Sequence, residues 1–292
     1  MADSPIVCIF VSLIQPDMNE CFGKKFVLNG ELHPADLFDN TLVYEGESVY
    51  EVIRMVKGLP VFFHDHMERL ASSVRLQQKE IIADIATLRK DIINLTRSDK
   101  KKETNLKIVF NYNDKSSNYL VYFIEPIYPS QEQYKKGVKG TLYFGERKNP
   151  ESKIINHKLR SSIYHKLIRE VSYEALLVNG KNEITEGSRS NIFFLKGDVL
   201  VTAPDEVILC GITRKYILDI CRLNKIEVRF ACVRVEDLLE YDAAFMTGTS
   251  PMVLPFCCID DKYFNVKLPL MEKLRKLYML RVAESIQAFR PE

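Results

Sequence analysis

What this 292-residue sequence lacks narrows its function before any motif is considered. It has no excess of charge: 41 Lys and Arg stand against 39 Asp and Glu, a formal net charge of +2. So small a field offers no general attraction to nucleic acid or an acidic membrane, and any ligand must be recognised locally. No C-x-x-C pair occurs among Cys8, Cys21, Cys210, Cys221, Cys232, Cys257 and Cys258, and their odd number and scatter fit neither a disulfide framework nor a zinc site. No stretch approaches the roughly 20 apolar residues of a membrane-spanning helix. The apolar run Ile6 to Ile14 follows Asp3 with no basic residue before it, so it reads as a strand and not as a signal peptide. No G-x-G-x-x-G or P-loop follows a strand pattern, and no repeat is visible. The expectation is a soluble, cytoplasmic protein with no metal site.

What is present is ordinary globular composition, 46% hydrophobic and 27% charged, at a length suited to about two domains. Phe26-Val27-Leu28 closes on Asn29-Gly30, a hairpin signal. Residues 48–56 alternate as a strand does, and Lys57-Gly58-Leu59-Pro60 turns the chain into Val61-Phe62-Phe63. A helix should start near Asp65, with Met67, Leu70, Val74 and Leu76 near one face, and a second should run from Ile82 to Leu95. Lys100-Lys101-Lys102 has no interleaved aromatic and reads as a solvated loop. Strands are expected at Leu106–Asn111 and Tyr119–Glu125. Pro126-Ile127-Tyr128-Pro129 reads as an interdomain connection, giving an N-terminal domain of residues 1–125, a linker of 126–135 and a C-terminal domain of 136–292. Beyond it, strands at 137–144, 174–178 and 190–195 mix with helices at 158–171, from Gly211, and at 267–288. This pattern predicts an α+β fold with largely antiparallel sheets.

The informative segment is Glu186-Gly187-Ser188-Arg189-Ser190-Asn191-Ile192-Phe193, followed by Leu200-Val201-Thr202 and Leu209-Cys210-Gly211-Ile212-Thr213-Arg214. It resembles the signature of the class IV aminotransferases, pyridoxal-phosphate (PLP) enzymes of fold type IV. That family includes branched-chain aminotransferases, D-amino-acid aminotransferases and 4-amino-4-deoxychorismate lyase. Phe26 to Leu70, the strand from Leu106 and Phe245-Met246-Thr247-Gly248-Thr249-Ser250 are similar to the family as well, leaving only about the first 24 residues outside the resemblance. The resemblance implies a smaller N-terminal α/β domain, a larger pseudo-barrel-like C-terminal domain that anchors PLP, and a homodimer.

A PLP site needs an amine for a Schiff base, an anion at the pyridine nitrogen and a phosphate cradle. By resemblance, Glu186 is the anion and Arg69 and Thr249 are phosphate donors. Ile212 and Thr213 begin a helix, where main-chain N–H groups and the positive helix end suit a dianion. Two lysines compete for the Schiff base. Lys153-Ile154-Ile155-Asn156 reproduces the family's Lys-x-x-Asn pattern, and its 33-residue spacing to Glu186 aligns without a gap; Lys158, at 28 residues, forces a deletion inside a helix. Lys153 is therefore preferred as the group that holds PLP and moves the substrate α-proton.

Substrate contacts are expected at Lys107, Ser250, Tyr112 and Glu45. Lys107 falls where branched-chain enzymes have an arginine and the lyase a lysine, so it is a candidate partner of a substrate carboxylate. Tyr112 stands near where D-amino-acid enzymes carry an arginine, which counts against that activity. Glu45 replaces a pocket aromatic and suits a purely apolar substrate poorly. Three readings stay open: a transaminase acting on an L-amino acid, branched-chain-like or other, with a 2-oxo acid; a pyruvate-eliminating lyase; and a PLP-binding or structural homologue without turnover.

Overall fold

A computed structural model describes residues 19–114 and 116–289. The strand expected at Ile6 to Ile14 lies outside the described residues. The chain forms two compact units. Among the described residues, one unit takes the chain up to Pro126, Ser152–Asn156 and the chain from Val282, and the other takes Ile127–Glu151 and His157–Arg281. The expected division had the chain cross once; here a five-residue segment around Lys153 and the chain from Val282 both return to the first unit.

In the first unit the elements are β1 (Lys25–Leu28), β2 (Glu31–Pro34), α1 (Thr41–Tyr44), β3 (Glu47–Val56), β4 (Leu59–Pro60), α2 (Phe63–Leu76), α3 (Ile85–Asp99), β5 (Thr104–Tyr112) and β6 (Ser117–Ile124). The six strands form an antiparallel sheet in the order β2-β1-β6-β5-β3-β4. Asn29 and Gly30 (φ 49° and 88°) turn β1 into β2, and Lys57 and Gly58 (φ 53° and 77°) turn β3 into β4. Left-handed pairs of this kind match the twist of hairpin strands.

Strand alternation sorts side chains to two faces. Val49, Ile53, Leu106, Ile108 and Phe110 pack with Met67 and Leu70 of α2 and Leu88, Ile92 and Leu95 of α3. Val109, Leu120 and Tyr122 point the other way, to Phe26, Phe38 and Val43. Helix α2 begins two residues before the expected start, and Leu76 is exposed and not part of its buried face. Helix α3 begins at Ile85 and not Ile82 because the Asp84 carboxylate caps it, accepting from Thr87 N.

The second unit contains α4 (Gln131–Lys136), β7 (Val138–Phe144), α5 (His157–Glu170), β8 (Glu174–Val178), β9 (Glu183–Gly187), β10 (Asn191–Lys196), β11 (Val199–Thr202), α6 (Ile212–Leu223), β12 (Val228–Phe230), β13 (Val233–Arg234), β14 (Ala243–Gly248), β15 (Met252–Ile259) and β16 (Lys262–Tyr263). Helix α7 (Pro269–Phe289) is divided between the units at Arg281. The ten-stranded sheet runs β12-β11-β10-β14-β15-β7-β8-β9-β13, with β16 on β15. Three of its pairings are parallel: β7–β8, β7–β15 and β11–β12. The expectation of antiparallel sheets is thus met in the first unit and modified here. Helices α5 and α6 serve as the crossovers that the pairs β7–β8 and β11–β12 require. No helix among the described residues is long and apolar enough to cross a membrane.

Candidate active site

Lys153 is held by its main chain on two sides. Tyr50 N donates to Lys153 O at 3.1 Å, Ile155 N donates to Ser48 O at 3.2 Å, and Val49 and Ile154 form an antiparallel bridge. From α2, Ser73 Oγ accepts from Lys153 N at 3.1 Å, and Ser73 O accepts from Ser152 Oγ at 3.3 Å. The segment is in effect a short extra strand beside β3. Fixing the backbone leaves only the side-chain torsions to be ordered, which is how a scaffold aims a reactive group. The Lys153 ammonium lies 4.9 Å from the centre of the Tyr50 ring. Lys158, the competing lysine, is the second residue of α5 and exposed.

Next to Lys153 a buried carboxylate organises α2. Glu51 of β3 is fully buried and accepts from Arg69 twice, Nε to Oε1 and Nη2 to Oε2, both at 2.7 Å. His66, one helical turn before Arg69, places Nδ1 2.8 Å from Oε2. Burial pushes the Glu51 carboxyl up, but the Arg69 charge and hydrogen bonds, with those of His66, overcome this and hold it well below the usual carboxylate range. Burial lowers the His66 pKa against the pull of Glu51, with smaller contributions from Arg69 and Lys153. A neutral His66 then donates Nδ1–H to Glu51. Arg69 is thereby oriented by two of its five N–H donors.

The expected substrate residues separate. Lys107 is buried on the face of β5 that looks to Tyr50 and Tyr122, and its Nζ meets Glu20 at 2.7 and 2.9 Å. Tyr112 lies on the opposite face, in the core with α2 and α3, and its hydroxyl donates to Glu80 O at 2.6 Å. Period-two alternation forbids residues 107 and 112 from sharing a face. The Glu45 side chain is exposed, while its main-chain O accepts from Asn111 Nδ2 at 2.7 Å. The structure thus does not bring Tyr112 or Glu45 to Lys107.

In the second unit Glu186 sits near the end of β9 with 2% of its surface exposed. Arg147 Nε lies 3.1 Å from its Oε1, and Leu209 N donates to Oε2 at 3.2 Å. Beside it, the buried Glu174 carboxylate gathers the following turn: it accepts from Ala175 N, from Ser188 N and Oγ, and from Ser190 Oγ. A Cβ on Gly187 would come within 2.1 Å of Ser190 Oγ, so a side chain here would push that hydroxyl off Glu174.

Asn191 performs the matching task for the helix start. Its Nδ2 donates to Leu209 O at 2.8 Å and its Oδ1 accepts from Gly211 N at 3.1 Å, where a Cβ on Gly211 would come within 2.1 Å. Helix α6 opens immediately afterwards with no side-chain cap, and its first N–H groups have no partner within the helix. Ile212 and Thr213 are buried there, and Thr213 Oγ1 lies 3.2 Å from the Tyr278 hydroxyl. Thr249 and Ser250 form the half-buried tip between β14 and β15. Sequence reasoning missed the roles of Glu51, His66, Ser73, Arg147 and Glu174. Arg147 lies in a loop with no pattern to mark it; Glu51 and His66 were visible only as members of the similar stretch.

Taken by itself, the first unit presents an aimed amine and an oriented guanidinium, and the second presents a buried carboxylate and a helix N-terminus without a side-chain cap. The two-unit α+β fold is that of solved aminotransferases: the branched-chain amino acid aminotransferase of Escherichia coli superposes with a TM-score of 0.80 at 22% identity, covering 90% of this chain and 96% of that one. The amino-transferase class IV family model matches residues 48–259, and the chain belongs to that family of enzymes. Among curated relatives it is similar to the D-alanine aminotransferase of Bacillus licheniformis, 26% identical over 235 residues and covering 77% of this chain and 83% of the relative. It is similar also to the aminodeoxychorismate lyase of Bacillus subtilis (strain 168), 25% identical over 242 residues, with 77% and 81% covered.

Proposed function

We infer that this chain is a PLP-dependent aminotransferase that moves an amino group between an L-amino acid and a 2-oxo acid, with the cofactor carried on Lys153. The observation that carries the reading is the seating of Lys153, pinned to β3 and α2 with its ammonium over Tyr50. The donor set fits the cofactor. Glu186, oriented by Arg147, suits a protonated pyridine nitrogen. Arg69, the Ile212 and Thr213 N–H groups and the Thr249 hydroxyl suit a phosphate dianion. When bound, the cofactor supplies an electron sink for the charge left at the substrate α-carbon.

The chain's own residues do the rest. Lys153 Nζ would hold the cofactor and, once displaced by the substrate amine, would be the base that takes the α-proton and the acid that returns it. Glu51 and His66 keep Arg69 in place, and the family resemblance makes Ser250 a substrate contact. The class IV resemblance that supports this activity also supports a cytoplasmic homodimer. The similarity to a lyase favours a second reading, elimination of pyruvate with no acceptor.

The test is the visible absorbance of the purified protein with PLP, followed by borohydride reduction and peptide mapping. A yellow band and a pyridoxyl label on Lys153 are expected. A label on Lys158 would move the anchor, and no band after added PLP would end the reading. Pyruvate released from aminodeoxychorismate without a 2-oxo acid would establish the lyase instead.

A further inference from the structure

Lys107 already holds a carboxylate, and the acid belongs to this chain. Its Nζ donates to Glu20 Oε1 at 2.7 Å and Oε2 at 2.9 Å, and the hydroxyls of Tyr44 and Tyr122 each donate to Oε2 at 2.9 Å. The rings of Tyr44, Tyr50 and Tyr122 stand 5.5 to 5.7 Å from the same ammonium. Burial first, then the Glu20 charge, pushes the Tyr122 phenol well above its ordinary value, so it keeps the proton it donates. One ammonium, two hydroxyls and three aromatic rings make a complete seat for an acid.

Seat and occupant come from different kinds of structure. The donors stand on α1, β5 and β6. Glu20 stands on residues 19–24, which form neither helix nor strand. That segment is tied by isolated hydrogen bonds and not by a strand ladder: Asn19 Nδ2 to Ala35 O at 2.6 Å, Glu20 N to Asn40 Oδ1 at 3.2 Å, Phe22 N to Phe123 O at 2.8 Å, Lys24 N to Asp99 Oδ2 and Ala35 N to Lys24 O, with Cys21 buried beside Phe26 and Phe38.

We propose that Glu20 is a specificity-determining residue, which fills the Lys107 seat from within the chain and so turns away substrates bearing a second carboxylate. Tyr50 links this seat to Lys153: its ring centre is 5.5 Å from Lys107 Nζ and 4.9 Å from Lys153 Nζ, so the two nitrogens lie at most about 10 Å apart. A small dicarboxylic amino acid presenting its amine to Lys153 brings its far acid toward Lys107. With Glu20 seated, the charge of Lys107 is already met, and a second carboxylate there faces a like charge. The consequence for substrates rests on Lys153 being the reactive amine; the occupancy of the seat by Glu20 does not.

The experiment has two readouts. Without cofactor, the melting temperature of the full-length Glu20→Ala variant is followed as acetate or glutarate is added. The acids are expected to raise it well beyond their effect on the parent, by refilling the seat, and the added Lys107→Met change should abolish that gain. With PLP and 2-oxo acid, the ratio of kcat/KM for glutamate to that for norvaline is compared between the parent and Glu20→Gln. Self-occupancy weakens a competing acid by the inverse of the fraction of time the seat is open, so the ratio should rise, by about tenfold for a seat open about one-tenth of the time. Should Glu20→Ala not fold, Glu20→Gln serves for both readouts. No acid-specific rise in melting temperature, a rise that survives Lys107→Met, or an unchanged substrate ratio in a protein labelled at Lys153 would overturn the proposal. Failure of the aminotransferase reading shows separately, as an absent visible band, and leaves the melting experiment intact.

Discussion

Glu51 and Glu20 hold cations on opposite faces of one sheet, and the contrast lies in how each acid is itself held. Taking a carboxylate out of water costs several kcal/mol and is offset only when charge partner and hydrogen bonds are complete. Both sites meet that condition: Glu51 through Arg69 and His66, Glu20 through Lys107, Tyr44 and Tyr122. Yet Glu51 lies mid-strand, opposite Ile108 in the ladder between β3 and β5, whereas Glu20 precedes β1 on irregular chain. Equal electrostatic completion with unequal mechanical freedom separates a fixture from an occupant. Glu51 can only orient Arg69; Glu20 can leave its seat without unzipping the sheet.

The largest expected effect comes from breaking the fixture. Glu51→Ala removes the carboxylate that holds the largely buried Arg69 guanidinium and should cost about 3–5 kcal/mol in urea unfolding, the usual loss when one partner of a buried pair is removed. Acetate is expected to restore little of it, because the vacated space lies beneath α2; rescue equal to that of Glu20→Ala would erase the distinction between the two acids. A loss within experimental error would show that the pair does not tie α2 to β3.

Acid should weaken the same constellation in two stages. His66 has a lowered pKa in the fold, so below its ordinary value of 6.5 the unfolded chain takes up a proton first and stability falls. Glu51 is also lowered, so its contribution is complete above its ordinary 4.5 and is lost as the pH drops further. Each stage approaches a slope of about 1.4 kcal/mol per pH unit where only the unfolded state has bound the proton. In urea titrations from pH 7.5 to 4, His66→Asn should remove the first stage and Glu51→Gln the second. A parent whose midpoint is flat between pH 6.5 and 5 would contradict the buried neutral histidine.

Local signals made much of the fold readable. Asn29-Gly30 and Lys57-Gly58 mark turns because the hairpin requires left-handed residues there, and both are found with positive φ. Helix α6 was placed to within a residue by Gly211-Ile212-Thr213, and the class IV segment indicated Glu186 by its neighbours. What escaped was set by chain return. Glu20 and Lys107 are 87 positions apart, and nothing in either neighbourhood specifies the other. The pairing of Lys153 with β3 depends on a crossing from the other unit and back, which no periodicity encodes. The separation of Tyr112 from Lys107 was readable from strand parity once both were assigned to β5. Leu76 shows the reverse error: an apolar residue two positions after Val74 falls off the helical stripe and onto the surface.

The smallest prediction tests the mechanical half of the contrast without touching either acid. Asn40→Ala removes the oxygen that accepts from Glu20 N, a hydrogen bond worth about 1 kcal/mol, while Lys107, Tyr44 and Tyr122 stay in place. If Glu20 is an occupant, the amides of Glu20 and Phe22 should exchange with solvent faster in the variant while those of β3 keep their rates, since the segment opens locally and the strand opens only with its sheet. Glutarate should then bind more tightly than to the parent, though less than to Glu20→Gln, because loosening the segment lowers the seat's self-occupancy only in part. Tyr112→Phe gives the matching control: it removes one hydrogen bond of similar worth on the opposite face of β5, to Glu80 O, and should leave glutarate binding unchanged. Equal responses from the two variants would mean that acid affinity follows general stability, and Glu20 would then be as much a fixture as Glu51.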